Sequence, residues 1–84
     1  MKIKQGYELI KSEDRYLVQA DDAFVKELSV SDYSAFLWKL LKEKEVTKSQ
    51  MLDSLLSEYD ISTVLALGEI DNFLRMLREN GIAE

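Results

Sequence analysis

Few side chains in this chain of 84 residues are equipped for covalent chemistry. There is no cysteine and no histidine, which removes disulfides, thiolate nucleophiles and the commonest general base and metal ligand at neutral pH. Lys48 and Ser49 are the residue types of a Ser-Lys catalytic pair, but as helical neighbours they do not face each other. The acidic pairs Glu13-Asp14 and Asp21-Asp22 carry the oxygens a hard cation prefers. Both fall at expected turns, where carboxylates favour the local geometry anyway, and no loop supplies the several convergent oxygens such a cation needs. No nucleophile with an activator emerges, and the chain is expected to be a non-enzyme with neither metal nor cofactor. The remaining candidates suit recognition. Lys26 and Glu27 sit in a short alternating segment, and Arg75 and Arg78 lie one turn apart on a late helix, placed to meet carboxylates of a ligand or simply to be solvated.

Charge narrows the ligand. The chain carries 11 basic and 16 acidic residues, a net charge of −5. Nucleic-acid binders draw most of their affinity from phosphate contacts by Lys and Arg, so this chain repels a polyanion on balance. The acidity lies mainly from Ser29 onward, in the helical part. With 46% hydrophobic residues the chain can build a core, and its length fits one domain spanning residues 1–84. The longest uncharged stretch, Ile61 to Gly68, is far too short to cross a bilayer, and the basic Met1-Lys2-Ile3-Lys4 is followed by no apolar signal region. A cytoplasmic protein is expected.

These residues must be positioned by two kinds of element. Tyr7 to Lys11 and Arg15 to Ala20 are rich in aromatic and β-branched residues and flank the polar Ser12-Glu13-Asp14, the pattern of a hairpin. After Asp21-Asp22, the segment Phe24 to Val30 alternates, with Phe24, Leu28 and Val30 on one face and Val25, Glu27 and Ser29 on the other. In such a meander the middle strand is paired twice and the third keeps one open backbone edge. Lys26 and Glu27 also suit an edge that must not aggregate.

Three helices follow. Ser31 can cap the first, near Ser31 to Glu43, with Tyr33, Phe36, Leu37, Leu40 and Leu41 at helical spacing. Thr47-Lys48-Ser49-Gln50 is a capping box opening the second, near Thr47 to Tyr59, whose buried stripe should be Met51 or Leu52, Leu55, Leu56 and Tyr59. Ser62 can cap the third, near Ser62 to Asn80, with an apolar face of Ala66, Ile70, Phe73, Leu74 and Leu77 and a left-handed stop at Gly81. Trp38 reads as core packing, and Met51 and Met76 as gap-fillers. The expected fold is α+β, a three-stranded antiparallel sheet followed by three helices.

On these residues the chain resembles the PqqD family. Val30-Ser31-Asp32-Tyr33 with the later Trp38 is similar to that family's first-helix start, Val46-Thr47-Lys48-Ser49-Gln50-Met51 to its second, and Phe73-Leu74, Leu77 and Gly81-Ile82 to its close. Ser31, Asp32 and Glu69 stand where the family usually has asparagine, proline and aspartate; the two at the helix start keep capping chemistry.

The resemblance implies a permuted winged helix-turn-helix that binds the leader of a ribosomally made precursor peptide and presents it to a modifying enzyme, frequently a radical S-adenosylmethionine protein. The leader would add as a strand along the backbone of Val25, Lys26, Glu27 and Leu28. One flank of the third helix, with Leu67, Asp71, Leu74, Arg75 and Arg78, would then set register and specificity. The open edge also offers a route to a homodimer. Two other readings compete: a winged-helix DNA binder, which the acid-rich third helix fits poorly, and a scaffold domain without a dedicated ligand.

Overall fold

The computed structural model of the chain describes residues 2–20 and 28–83. Alternation builds its sheet. Strand β1 (Tyr7–Ser12) pairs antiparallel with β2 (Arg15–Ala20) in the register Tyr7↔Ala20 to Ser12↔Arg15, which leaves Glu13 and Asp14 as a two-residue turn. Glu13 takes a positive φ of 54°, a conformation that side chains bearing a Cβ seldom adopt. Strand β3 (Leu28–Val30) pairs antiparallel with β2, giving the order β1-β2-β3. Residues 24–27 of the expected third strand lie outside the described residues.

The cross-strand register puts Tyr7, Leu9, Tyr16, Val18, Leu28 and Val30 on one face. Val18 is fully buried there, and the strand neighbours Leu9, Leu28 and Val30 pack against the same core.

The helices begin where side-chain caps allow. Helix α1 (Asp32–Glu43) starts after Ser31, whose hydroxyl accepts from the Ser34 N–H at 3.1 Å. Helix α2 (Lys48–Glu58) opens on the full capping box: the Gln50 N–H donates to Thr47 Oγ1 at 3.2 Å and the Thr47 N–H to Gln50 Oε1 at 2.8 Å. Helix α3 (Thr63–Glu79) starts after Ser62, which accepts from the Leu65 N–H. It stops at Asn80 and Gly81, the latter at φ 64°, and the Ile82 N–H then bonds to the Leu77 carbonyl at 2.8 Å. That return buries Ile82 completely, and the tail pairs with the chain's start through an Ile3↔Ala83 bridge and a Lys4 N–H to Ile82 carbonyl bond of 2.7 Å.

The core joins all three helices to the sheet. Leu37, Trp38 and Leu41 of α1, Met51 and Leu55 of α2, and Ala66, Ile70, Phe73 and Leu77 of α3 meet Val18, Val46 and Ile82. Each large side chain so enclosed contributes roughly 1.5–3 kcal/mol. Trp38 is core, as its neighbours implied. One expectation needs correction. Leu56 is exposed, because the inward direction of α2 is defined by Met51 and Leu55, four apart, and the next residue is rotated away. Leu40 and Leu74 lie on their helices' apolar faces as expected, half-buried and packed against the core.

Candidate functional site

The sheet order leaves β1 and β3 as edge strands, and the candidate edge is that of β3. Its three residues pair with β2 as Val18↔Leu28, Leu17↔Ser29 and Tyr16↔Val30, and among the described residues no strand covers the other side. Leu28 and Val30 turn inward and Ser29 outward, while in the plane of the sheet the backbone groups on the side away from β2 remain open to an added strand. Val25, Lys26 and Glu27 lie outside the described residues.

The helical residues of the expected site all lie on α3. Leu67, Asp71, Leu74 and Arg78 follow one another at steps of four, three and four and so share a flank, with Arg75 one step further round. Leu74 is half-buried against the core, while Leu67, Asp71, Arg75 and Arg78 are exposed. Lys48 at the start of α2 reaches across to Asp71, with Nζ 2.7 Å from Oδ1. The flank bearing Asp71 is therefore the one beside the first turn of α2. The hydrogen bond from Lys48, then its charge, lowers the Asp71 pKa, with the charges of Arg75 and Arg78 acting in the same direction. Arg75 makes a long contact of 3.5 Å to Asn72 Oδ1, and Arg78 has no ion pair with another described residue.

A cleft went unseen in the sequence. About 430 Å³ in volume, it lies between the hairpin end of the sheet, α1 and the end of α2, with Lys11, Tyr16, Asp32, Phe36, Lys39 and Tyr59 among its walls. The Lys11 and Lys39 ammonium groups lie 5.6 and 5.2 Å from the Tyr16 ring centroid, within cation–π range. Lys11 and Tyr16 are cross-strand partners, so counting outward from the two-residue turn would have found that half. Lys39 approaches from α1, with no local signal. Tyr59 packs edge-on against Tyr33 and Phe36, at 4.8 and 5.6 Å between centroids. Burial, reinforced by the charges of Asp32 and Glu58, raises its hydroxyl pKa.

Among the described residues no group of His, Asp or Glu is arranged to hold a metal ion, and no helix is long and apolar enough to cross a membrane.

A capped trio of helices on a small meander, with the β3 edge open and a charged helix flank, has the form of a recognition module. The family model for Coenzyme PQQ synthesis protein D (PqqD) matches residues 17–83, and the chain belongs to that family. Its fold is similar to that of a solved structure described as TbiB1 in complex with the TbiA(beta) leader peptide, with a TM-score of 0.77 and 19% sequence identity over 100% of this chain and 95% of that one. Among curated proteins, none matches the chain in sequence.

Proposed function

We propose that this protein is a non-catalytic module that captures the leader of a ribosomally synthesised precursor peptide and presents it to a modifying enzyme. The open edge of β3, in a chain of the PqqD family, carries the reading. The leader joins as a further strand beside Val25, Lys26, Glu27 and Leu28, and its main-chain groups satisfy those that β2 leaves free. Leu67, Asp71, Leu74, Arg75 and Arg78 of α3 then select side chains. The likeness to TbiB1, whose structure holds a leader peptide, supports a leader peptide as the ligand. The enzyme served is of the radical S-adenosylmethionine or another peptide-modifying class, and the module works in the cytoplasm as one domain spanning residues 1–84. Its gain is effective concentration: a tethered substrate meets the enzyme far more often than a free one.

A DNA-binding use of α3 gains nothing from the geometry. Arg75 and Arg78 share that helix with Glu69, Asp71 and Glu79, and Asp71 is held as a carboxylate.

The test is residue-resolved amide hydrogen exchange, with and without the N-terminal segment of the precursor encoded beside this chain. Along an antiparallel strand the N–H groups alternate between the partner and the open side. Strand addition is expected to slow exchange at the open-side amides within Leu28–Val30, leaving the hairpin end of β1 unchanged. Saturable binding without new protection on β3 would refute it.

A further inference from the structure

One end of the α2–α3 pair exposes apolar side chains that the core does not use. Val64 is 81% exposed and Leu65 45%, both in the first turn of α3, and Leu56 on the last turn of α2 is 36% exposed. Tyr59 to Ser62 alone join the two helices, so these residues gather at one end of the pair. Single exposed apolar residues need no explanation, but a cluster on connected helix ends marks an interaction surface.

The charge along the α2–α3 connection and its flanking turns is acidic, although Lys11 and Lys39 line the neighbouring cleft with Glu58. From Ser49 to Leu74 the chain has no Lys or Arg, yet it carries Asp53, Glu58, Asp60, Glu69 and Asp71. Lys48 neutralises Asp71; no ion pair with a described residue holds the other four. We infer that this end is a second docking surface, apart from the β3 edge, that takes a basic, apolar patch on a protein partner. An enzyme receiving the bound leader would be such a partner. The acidic rim speaks against the other occupants. A second copy would bring the same carboxylates together, and nucleic acid or an anionic lipid surface would be repelled. A basic protein surface instead gains steering from the rim and burial from Leu56, Val64 and Leu65.

The test titrates the full chain with a short amphipathic helical peptide of Leu and Lys, using the Leu/Glu counterpart as control. Amide shifts are expected to move at Leu56, Val64 and Leu65, and affinity to weaken with added salt. The double variant Val64→Gln, Leu65→Gln, its sheet resonances unchanged, is expected to bind about tenfold more weakly. The variant Asp53→Asn with Asp60→Asn should lose affinity without losing the apolar contact. Equal binding of the Leu/Glu peptide, shifts confined to β3, or unchanged affinity in both variants would overturn the inference. So would a dimer in sedimentation that the Val64→Gln, Leu65→Gln variant dissolves, since the occupant would then be a second copy.

Discussion

Lys48 and Asp71 join the first turn of α2 to the middle of α3 through a contact of 2.7 Å. Both side chains are about half exposed, so the pair orients two helices more than it stabilises the fold. Because the Asp71 pKa is lowered on folding, the contribution is present above the unfolded-state value and fades as pH falls through the folded one. The Asp71 carboxyl carbon is expected to titrate below the usual aspartate range and to return towards it in Lys48→Ala, with the difference reduced by salt. Indistinguishable titration curves in the two proteins would dismiss the pairing in solution.

Thr47 bears on stability more directly. It both accepts from Gln50 and has its own N–H satisfied by the Gln50 side chain, so either loss strands the other's partner. Thr47→Ala is expected to cost about 1 kcal/mol in urea unfolding. Adding Gln50→Ala should cost less than it does alone, because the reciprocal bond is already broken.

At the hairpin, Glu13 holds a left-handed backbone that costs an ordinary residue about 1–2 kcal/mol. Glycine removes that cost but gives back roughly 0.5–1 kcal/mol through the freer unfolded chain. Glu13→Gly is therefore expected to raise stability by about 0.5 kcal/mol, and a clear loss would mean that the turn does not take this form.

Tyr59 gives an alkaline signature. Its hydroxyl pKa is raised by burial first and then by the neighbouring charges of Asp32 and Glu58, so the stability it lends is complete below the unfolded tyrosine value of about 10. That stability is lost as pH rises through the higher folded value. Tyr59→Phe, which keeps the edge-on contacts with Tyr33 and Phe36, should remain folded and lose one late step from the tyrosinate absorbance titration.

How far these features were legible depends on whether their causes are local. Ser31, Thr47 and Ser62 announced the helix starts because capping is a matter of three or four adjacent residues, and Gly81 announced the last stop for the same reason. The stripe of α2 was less clear. Met51 and Leu52 fit it equally until packing against α3 chose Met51, and that choice turned Leu56 outward. The pairing of Lys48 with Asp71 spans 23 positions and depends on how α2 crosses α3, so no window of sequence contains it. Lys39 over Tyr16 is hidden for the same reason. The open edge was legible through alternation at Leu28 to Val30, whereas the flank facing the start of α2 became apparent only once Lys48 was seen against Asp71.

Strand addition makes a prediction that side-chain recognition alone does not. Pairing through the main chain tolerates a change of side chain, so Val25→Ala should bind the precursor's leader almost as the unaltered chain does. Lys26→Pro removes a donor and restricts the backbone. If that N–H faces the open side, the variant should stay folded and lose most of its affinity. The arginines probe the second half of the mechanism. Arg75 has only a long contact with Asn72, and Arg78 has no ion pair with a described residue, so reversing either charge should scarcely affect folding. If an acidic leader residue docks there, Arg75→Glu or Arg78→Glu should cost about 1 kcal/mol or more, near fivefold in Kd by calorimetry. A merely solvated arginine would leave the affinity within error. Unchanged affinity in both the folded Lys26→Pro variant and Arg75→Glu would place the leader on some other surface than the β3 edge and α3.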